Sequence, residues 1–468
     1  MTTRNVDVAV IGAGSAGLAA FRAAREWTEN VVLIEGGAYG TTCARVGCMP
    51  SKLLISAAEA AHEVGKASEF GVNVGAVNID GVAVMDRVRR ERDRFVGFVV
   101  DGVETIPAEQ RIRGYAKFID DHRLQIDEHT IVNAKRIVIA TGSSPSVPAF
   151  LAPLGDRVLV NDDVFDWQDL PGSVAVFGPG VIGLELGNAL SRLGVEVTVF
   201  GRGGRLGPLT DPEVLDVARR SFEKQFVLDA DASVESVERV DEGVRITYRD
   251  TDSVDVTTTV DYVIAATGRE PNLSRLKLEN TSLPLDGHGV PQFDPQTSQV
   301  GDSHVFIAGD VNNDRSLLHE AADEGRIAGI NAGRYPDVRP GLRRSPLGIV
   351  FSEPQMALIG DRYADLDGAS AVIGSVSFED QGRSRVMLQN EGLLRIYADR
   401  QSGRFIGAEM LGPRAEHLGH LLAWAHQSCM TVADMLDMPF YHPVVEEGLR
   451  TALRDVQRKL DQRALKAA

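Results

Sequence analysis

The sequence contains only three cysteines among 468 residues. So few thiols cannot form the disulfide framework that stabilises many secreted domains, which indicates a reducing compartment. In such a compartment, two neighbouring cysteines are more often catalytic or metal-binding than structural. Only His62 lies near enough in the sequence to serve as a further metal ligand, so we predict no metal site.

Long apolar runs and an excess of basic residues are also missing. No apolar stretch reaches the length of a membrane span, and the glycines between Val6 and Ala20 do not fit a signal peptide. The 49 basic and 66 acidic residues leave a net charge of −17, which argues against nucleic acid or an anionic membrane as the main partner. Hydrophobic residues make up 43% of the chain, so we predict a cytoplasmic globular protein of about two to four domains.

A glycine-rich segment follows the first apolar strand, Val6–Ile11, and opens a helix. Gly12 allows a tight turn, Gly14 lets a pyrophosphate approach the backbone, and Gly17 lets the helix pack closely against the strand. Glu35 comes 18 residues after the third glycine, at the end of the next strand, where an acid can bond a ribose hydroxyl. This combination predicts a dinucleotide site.

The glycine pattern returns later in the chain. It follows the apolar strand Val174–Phe177 and has the same spacing, at Gly178, Gly180 and Gly183. Each copy is followed by a further apolar strand that ends in Ala-Thr-Gly. Such an internal duplication predicts two nucleotide-binding units.

The second unit differs from the first at a position that bears on the coenzyme. Counting 18 residues from Gly183 reaches Gly201, where the first unit has Glu35, and Arg202 follows. Without the acid, no carboxylate repels a 2′-phosphate and an arginine could bond one, which favours NADPH over NADH. The alternative is that Arg202 is an exposed turn residue and a neighbouring group holds the ribose.

Two of the cysteines, Cys43 and Cys48, have four residues between them. A disulfide needs its Cα atoms within about 4.4–6.8 Å, whereas a regular helix separates positions five apart by roughly 7.5 Å along its axis. The pair can therefore close only if Cys43 lies in a bent segment that folds back on the start of a helix. Pro50 suits a first helical turn, so we expect a helix from about Ser51, with Cys48 near an N-terminus that favours a thiolate. The alternative is a pair of buried thiols.

After Ser345 the pattern of the sequence changes to alternating strands followed by helices, which predicts a separate α+β domain. Near its end, Pro443 is expected to open a helix and place Glu447 about one turn above His442. A carboxylate there could hold the imidazole in one tautomer and raise its basicity. A thiol pair needs such a proton acceptor, although a His near a Glu is often only structural. The third cysteine, Cys429, is the last residue of an expected apolar helix, Ala415–Cys429, and is expected to be a core thiol.

Together these motifs resemble the flavoprotein disulfide reductases, the class I pyridine nucleotide-disulfide oxidoreductases, over essentially the whole chain. The motifs are Cys-x4-Cys-x-Pro-Ser-Lys, two glycine fingerprints, two Ala-Thr-Gly turns, Gly-Asp, and a terminal His-Pro-x-x-x-Glu. Met49–Lys52 and Gly180–Gly187 are similar to the dihydrolipoamide dehydrogenase branch. The C-terminal cysteine pair of mercuric reductases is absent from the sequence.

The resemblance implies an α/β fold with two Rossmann-like FAD- and NAD(P)-binding domains and a C-terminal α+β dimerisation domain. The implied domains are 1–148 with 271–345 for FAD binding and the central part, 149–270 for NAD(P) binding, and 346–468 for dimerisation. It also implies a homodimer in which His442 and Glu447 of one subunit reach Cys43 and Cys48 of the other.

The resemblance further implies which residues carry the chemistry. Cys43 would be the interchange thiol, Cys48 would lie against the flavin, His442 would move the proton, and Glu447 would orient it. Lys52 would lie near the reactive flavin nitrogen and pair with Glu185, and Asp310 would lie near the ribityl chain. The cofactor-binding residues would be Gly12, Gly14, Ser15, Ala16, Gly17, Glu35, Thr42, Lys52, Ala116, Thr141, Gly142, Ser143, Gly178, Gly180, Ile182, Gly183, Glu185, Arg202, Gly268, Asp310, Leu317 and His319.

The implied function is electron transfer between NAD(P)(H), FAD, the Cys43–Cys48 disulfide and a dithiol or disulfide substrate, as in dihydrolipoamide dehydrogenase. The substrate would be a small dithiol or disulfide, or a lipoyl group on a partner protein, with neither nucleic acid nor a membrane as partner. An NADPH-dependent reductase of another disulfide, a quinone or a metal ion is an alternative. A non-catalytic redox-sensing or complex subunit is an alternative from a different class.

Overall fold

The computed structural model describes residues 1–250 and 253–467. The chain divides into two compact units. Unit 1 consists of Met1–Pro50, Arg87–Ser146 and Gly268–Arg344. Unit 2 consists of Ser51–Asp86, Val147–Thr267 and Ser345–Ala468. The three-part domain division expected from the sequence stays a prediction.

The helices of the described residues are numbered in chain order. They are α1 Ser15–Arg25, α2 Thr42–Val46, α3 Cys48–Lys66, α4 Gly81–Glu104, α5 Asn161–Val164, α6 Val181–Arg192, α7 Pro212–Phe222, α8 Leu318–Arg334, α9 Gly382–Val386, α10 Ala415–Gln427, α11 Val432–Leu436 and α12 Glu447–Ala467. None of the helices in the described ranges is both long and apolar enough to cross a membrane.

The strands are numbered in the same way. They are β1 Thr2–Ile11, β2 Val31–Glu35, β3 Arg111–Arg113, β4 Ala116–Phe118, β5 Arg123–Ile126, β6 Thr130–Ile139, β7 Ser143–Pro145, β8 Val158–Leu159, β9 Ser173–Phe177, β10 Glu196–Phe200, β11 Val227–Asp229, β12 Ser233–Val240, β13 Gly243–Arg249, β14 Asp255–Val260, β15 Tyr262–Ala265, β16 Arg269–Pro271, β17 Val305–Ile307, β18 Leu347–Val350, β19 Gln355–Gly360, β20 Ala371–Ser377, β21 Leu393–Asp399 and β22 Phe405–Gly412.

The main sheet of unit 1 has the order β3-β2-β1-β6-β5-β4, with β17 also pairing with β6. Strands β3, β2, β1, β6 and β17 are parallel, and β5 and β4 extend the sheet antiparallel. Val8 and Val10 of β1 are buried in one core with Phe21 of α1, whereas Ala9 and Ile11 are buried in another. Because both faces are covered there, β1 is continuously apolar from Val8 to Ile11, as buried parallel strands are.

Unit 2 contains a second parallel sheet, in the order β11-β10-β9-β15-β8. Strand β9 lies inside this sheet, as β1 does in the other, and each is the strand that runs into a glycine motif. An antiparallel sheet, β12-β13-β14, lies between β11 and β15 in the chain. The duplication read from the glycine spacing is therefore present as two Rossmann-like sheets, which confirms that part of the predicted fold class.

The C-terminal part of unit 2 forms an antiparallel sheet, β18-β19-β22-β21-β20. Its core buries Phe378 and Phe405 together with Leu422 of α10 and Leu453 of α12. This is the α+β combination of strands and helices that the sequence predicted. Within this sheet, β18 ends at Val350 and β19 begins at Gln355. The intervening turn contains Pro354, which has no N–H to donate to a ladder.

The expectation for Cys429 was wrong. The thiol is exposed, and the residue lies beyond the last residue of α10. Its φ of 54° is left-handed, so the chain turns out of the helix there. The apolar helical pattern therefore stops short of this cysteine.

Candidate functional site

The first glycine motif forms a tight junction between β1 and α1. A Cβ atom at Gly12 would overlap the carbonyl oxygen of Ala140, and one at Gly17 would overlap that of Gly12. At Gly14, in contrast, a Cβ atom would meet nothing within 4 Å. Gly14 is the N-cap of α1, and no side chain of the described residues caps this helix. The N–H groups of the first turn therefore face an open space suited to an anionic ligand.

Glu35 lies at the rim of this junction. Its Oε2 atom accepts a hydrogen bond from the Ala13 N–H at 2.7 Å, and its Oε1 atom accepts one from the Gly37 N–H at 2.7 Å. Two backbone donors thus hold the carboxylate in place. A carboxylate has about four acceptor sites, so it can still receive ribose hydroxyls.

The second motif repeats the first in detail. A Cβ atom at Gly178 would overlap the carbonyl oxygen of Ala266, one at Gly183 would overlap that of Gly178, and one at Gly180 would meet nothing within 4 Å. Gly180 is the N-cap of α6, again without a side-chain cap in the described structure. Ala266 opens the second Ala-Thr-Gly turn as Ala140 opens the first. Each of these turns therefore supplies the carbonyl on which the first glycine of a motif packs.

Gly201 follows β10, where the first unit has Glu35 at the end of β2. A Cβ atom here would lie 2.5 Å from the Ala230 carbonyl oxygen and 2.8 Å from Cγ of Pro179. The Gly201 N–H also donates to the carbonyl oxygen of Asp229 at 2.6 Å. An acid cannot stand at this position without a shift of the backbone.

The loop after Gly201 carries both signs of charge. Arg202 and Arg205 are exposed. The Gly203 N–H donates to Oδ1 of the exposed Asp231 at 2.6 Å. Sequence reasoning identified the arginine but missed the aspartate, which follows β11 and has no motif to mark it.

The two cysteines of the Cys-x4-Cys motif lie on consecutive helices. Cys43 is half-buried in the short α2, and Cys48 is the exposed first residue of α3. Between the helices, a Cβ atom at Gly47 would lie 3.1 Å from the Thr42 carbonyl oxygen and 3.3 Å from Cα of Cys43. The chain therefore folds back on Cys43 at Gly47, as closure of the pair requires. The helix begins at Cys48, earlier than the predicted start near Ser51, and Pro50 lies in its first turn, as expected.

Lys52 and Glu185 are brought together as the resemblance implied. Lys52 Nζ lies 2.7 Å from Oε2 of Glu185, whose side chain is only 6% exposed. The other oxygen of Glu185 accepts the Phe351 N–H at 3.0 Å, and Lys52 Nζ lies 4.5 Å from the centre of the Phe351 ring. The ammonium group thus contacts a carboxylate and the face of an aromatic ring. Phe351 was not found from the sequence, because no motif includes it.

One face of α6 continues this contact. Asn188 Oδ1 accepts the Glu353 N–H at 3.0 Å, and Arg192 Nη2 donates to the Glu353 carbonyl oxygen at 3.2 Å. Burial raises the pKa of the Glu353 carboxyl group, and the charge of Arg192 opposes that shift. Because Glu185, Asn188 and Arg192 recur at helical spacing, α6 holds the whole turn between β18 and β19.

His442 and Glu447 are also brought together, but not by a helix. The Nδ1 atom of His442 lies 3.0 Å from Oε2 of Glu447, and α12 begins only at Glu447. The prediction that Pro443 opens the helix was wrong, since a turn connects the two residues. Desolvation raises the pKa of Glu447, but hydrogen bonds from His442 and the Val444 N–H, with the charges of His442 and Arg450, hold it below its usual value. The side chain of His442 is 80% exposed, so the imidazole faces away from the body of its own chain.

Asp310 follows β17 and is held by a neighbour from the first Ala-Thr-Gly turn. Ser143 Oγ donates to Asp310 Oδ2 at 2.8 Å. Thr141, in the same turn, exchanges hydrogen bonds with Asn272: its Oγ1 donates to the Asn272 carbonyl oxygen at 2.9 Å, and its carbonyl accepts from Asn272 Nδ2 at 3.0 Å. Gly142 has a φ of 66° and nothing within 4 Å of its missing Cβ.

The remaining predicted cofactor residues lie at several places in the two units. Leu317 and His319 are exposed at the start of α8, and Thr42 is exposed at the start of α2. Among the rest, Ala16 is buried in α1, Ser15 and Ile182 are half-buried near the starts of α1 and α6, Ala116 is buried at the start of β4, and Gly268 is exposed before β16. Their assignment to a cofactor stays a prediction. In the described ranges, no group of three or more His, Cys, Asp or Glu side chains is arranged to hold a metal ion.

Comparisons with known proteins agree with this arrangement. The family model described as pyridine nucleotide-disulphide oxidoreductase matches residues 6–325, and the model of its dimerisation domain matches residues 347–453. Dihydrolipoyl dehydrogenase of Bacillus subtilis (strain 168) is 30% identical over 460 residues, which cover 96% of this chain and 98% of that protein. Mercuric reductase of Shigella flexneri is 30% identical over 472 residues, which cover 98% of this chain and 82% of that protein.

A solved structure has the same fold along nearly the whole chain. The crystal structure of LpdA from Mycobacterium tuberculosis matches with a TM-score of 0.82 and 26% sequence identity. The match covers 97% of this chain and 99% of that one.

Proposed function

The chain belongs to the pyridine nucleotide-disulphide oxidoreductase family, and we propose that within this family it acts as a dihydrolipoyl dehydrogenase. Members of the family use FAD and NAD(P), as the sequence predicted. The dimerisation domain supports homodimer formation. The substrate, the residue roles and the coenzyme preference in the following paragraphs are proposals.

The two glycine junctions fit two dinucleotides. Gly14 and Gly180 each leave open space at an uncapped helix start, which suits a pyrophosphate. Glu35 stands beside the first junction as a ribose acceptor, and Asp310 stands at a strand end as a further acceptor. We assign FAD to the first junction and NAD(P) to the second. When bound, FAD supplies the two-electron chemistry that connects a dithiol with a nicotinamide.

The observation that carries the proposal is the fold of the cysteine loop. Gly47 returns the chain to Cys43 at the point where Cys48 begins α3, so the backbone suits a redox disulfide between them. A substrate thiolate would attack Sγ of Cys43, and Cys48 would leave as a thiolate favoured by the helix N-terminus. The second substrate thiolate would then attack the sulfur bonded to Cys43, which releases the substrate disulfide and leaves two reduced cysteines.

The substrate dithiol loses two protons, of which one can pass to the Cys43 thiolate released from the mixed disulfide and the other needs a separate acceptor. We assign this role to His442, whose Nδ1 is oriented by Glu447 so that Nε2 faces outward. The exposure of this imidazole suits a group that serves the cysteines of the partner subunit in a homodimer, as the family resemblance implies. Lys52 would keep a positive charge beside the flavin, with Glu185 and Phe351 holding its ammonium group.

A second candidate is an NADPH-dependent reductase of another disulfide, a quinone or a metal ion. One observation favours it: Gly201 has no room for the acid that an NAD-dependent enzyme would use there, and Arg202 follows. The relatives also include a mercuric reductase as well as dihydrolipoyl dehydrogenases. Both candidates share the cysteine chemistry and differ in the substrate and the coenzyme.

The shared chemistry is tested by thiol labelling of the flavin-loaded protein. Anaerobic NADPH or NADH should convert the Cys43–Cys48 disulfide into two thiols that iodoacetamide alkylates, as peptide mass spectrometry would show. Cys429 is exposed and should be alkylated with or without the coenzyme, which makes it an internal reference. In the Cys43→Ser variant, Cys48 should be alkylated under both conditions and disulfide turnover should be abolished. Wild-type Cys43 and Cys48 that label equally before and after reduction would contradict the proposal.

The substrate is tested separately. Turnover of dihydrolipoamide with NAD⁺ or NADP⁺, at a rate that Cys429→Ser leaves unchanged and Cys43→Ser abolishes, would support the dehydrogenase. Labelling that depends on NADPH, together with no turnover of dihydrolipoamide, would favour the second candidate.

A further inference from the structure

A chain of hydrogen bonds leads to Asp310 from the segment after the second Ala-Thr-Gly turn. Arg269 Nε donates to Ser143 Oγ at 2.9 Å, and Arg269 Nη2 donates to the Ser143 carbonyl oxygen at 2.8 Å. Ser143 Oγ in turn donates to Asp310 Oδ2 at 2.8 Å. The three side chains belong to unit 1, although 126 residues separate Ser143 from Arg269.

The direction of each bond follows from the chemistry of the donors. A guanidinium group only donates, so the Ser143 oxygen must accept from Arg269. The hydroxyl has one hydrogen, and the carboxylate of Asp310 is an acceptor, so that hydrogen points to Asp310. Ser143 is only 8% exposed, which leaves its hydroxyl little choice of a water partner.

The sheet pairing explains why Arg269 reaches this serine. Strands β7 and β16 pair antiparallel, with Arg269 opposite Pro145 and Pro271 opposite Ser143. Each of these strands directly follows one of the two Ala-Thr-Gly turns. The strands that follow the two copies of the turn in the sequence are thus paired with each other in unit 1.

The backbone of Asp310 is held from the opposite direction. Glu324 is fully buried in α8, and its Oε2 accepts the Gly309 N–H at 2.8 Å and Asn312 Nδ2 at 2.7 Å. Gly309 has a φ of 78°, and a Cβ atom there would lie 2.9 Å from Cβ of Ala16. Glu324 therefore holds the backbone before Asp310 and the Asn312 side chain after it, and the carboxylate of Asp310 is oriented by Ser143.

We propose that Arg269 and Ser143 are positioning residues for flavin binding, which hold the Asp310 carboxylate in the orientation that accepts a hydroxyl of FAD. The inference rests on the proposed function, in which Asp310 binds the ribityl chain. It changes the predicted role of Ser143 from a direct contact to a support. It also adds Arg269, which sequence reasoning missed because only the preceding Gly268 belonged to the motif used.

The test measures the dissociation constant of FAD from the full-length protein, by fluorescence titration of apoprotein prepared from each variant. Ser143→Ala should weaken FAD binding about tenfold, because one charge-assisted hydrogen bond to the carboxylate is lost. The matched control is Ser144→Ala on the same strand. The single hydroxyl hydrogen of that exposed serine is donated to Asn272 Oδ1 at 2.8 Å and not to Asp310, so the Ser144→Ala variant should bind FAD with the dissociation constant of the wild type.

Two further measurements separate positioning from a general structural effect. Ser143→Ala removes two side-chain hydrogen bonds, with Arg269 and Asp310, whereas Ser144→Ala removes one, with Asn272. The melting temperatures of the two apoproteins should therefore differ by no more than a few degrees. In a double-mutant cycle, Ser143→Ala should cost little in a protein that already carries Asp310→Asn, because the serine acts through that carboxylate.

Each outcome bears on a different claim. Equal dissociation constants for Ser143→Ala and Ser144→Ala, or additive effects of Ser143→Ala and Asp310→Asn, would overturn the positioning role. Wild-type affinity in Asp310→Asn would overturn both that role and the placement of Asp310 at the flavin. A wild-type protein that binds no FAD would overturn the proposed function itself.

Discussion

Replacing Arg202 by glutamine is expected to lower the preference for NADPH over NADH by about 5- to 30-fold at low ionic strength. The argument starts from Gly201, where a Cβ atom would lie 2.5 Å from the Ala230 carbonyl oxygen. An acid at that position is excluded by the backbone, so the coenzyme must be selected by the side chains around it. Arg202 is the next residue and is exposed to an incoming phosphate.

The magnitude follows from the exposure of Arg202. Two unit charges about 4 Å apart attract by about 1 kcal/mol in bulk water and about 4 kcal/mol near a partly shielded surface. An exposed side chain belongs toward the lower end, about 1–2 kcal/mol, which corresponds to about 5- to 30-fold in kcat/KM. The effect should shrink as salt is added, because the Debye length falls to about 8 Å at physiological ionic strength.

The assay compares kcat/KM for NADPH and NADH with one fixed disulfide substrate. Arg220→Gln is the matched control, since it removes another exposed positive charge, from α7, where Arg220 pairs with Asp216 at 2.8 Å. It should leave the ratio unchanged. Gly201→Glu is not a suitable test, because its Cβ would disturb the loop before its carboxylate could act.

A variant of Asp231 tests the claim that Gly201 and Arg202 select the coenzyme. Its Oδ1 accepts the Gly203 N–H, so an acid does stand beside the loop. In the Asp231→Asn variant the acceptor is kept and the charge is lost, and the preference for NADPH should stay the same or rise. A wild-type preference for NADH that Asp231→Asn abolishes would mean that Asp231 binds the ribose and that the glycine does not decide the coenzyme.

Three further predictions concern the proton acceptor His442, the bend at Gly47 and the loss of stability at low pH. His442→Gln should slow disulfide turnover by about 10²–10⁴-fold with FAD still bound, as expected for a general acid–base group, and an unaltered rate would remove His442 from the mechanism. Gly47→Val should disturb the bend between α2 and α3, because its Cβ would press on the Thr42 carbonyl oxygen. The fraction of protein in which Cys43 and Cys48 form a disulfide should therefore fall. The same fraction as in the wild type would contradict the role given to the bend. Burial, with the charges of Arg192 and Lys66, lowers the pKa of His62 from 6.5 to about 4, so the unfolded chain takes up that proton first and stability is lost as the pH falls through this window. His62→Gln should therefore show a smaller drop in melting temperature between pH 7 and pH 5 than the wild type, and an equal drop would show that His62 does not contribute.

The sequence alone was enough for features whose geometry is local. Both glycine motifs were predicted correctly, because a strand, a turn and a helix start within six residues leave few backbone conformations. The bend in the cysteine loop was also local: a disulfide between Cys43 and Cys48 would exclude a regular helix or strand, and the chain does leave the helical conformation at Gly47, whereas the disulfide itself stays a prediction. The contact between His442 and Glu447 was also predicted, because the two residues lie only five positions apart, although a turn rather than a helix connects them.

Only the tertiary structure decided the contacts made between distant segments. The carbonyl oxygen of Ala230 leaves no room for a side chain at position 201, because β11 pairs with β10. Arg269 reaches Ser143 because β16 pairs with β7. The turn that contains Phe351 is held by side chains of α6, more than 150 residues earlier. Such contacts depend on which strands pair and in which register, and that choice is made by burial of both sheet faces over the whole unit. The local pattern around a residue therefore predicts its backbone conformation, whereas the partner of its side chain is determined only when the complete chain has folded.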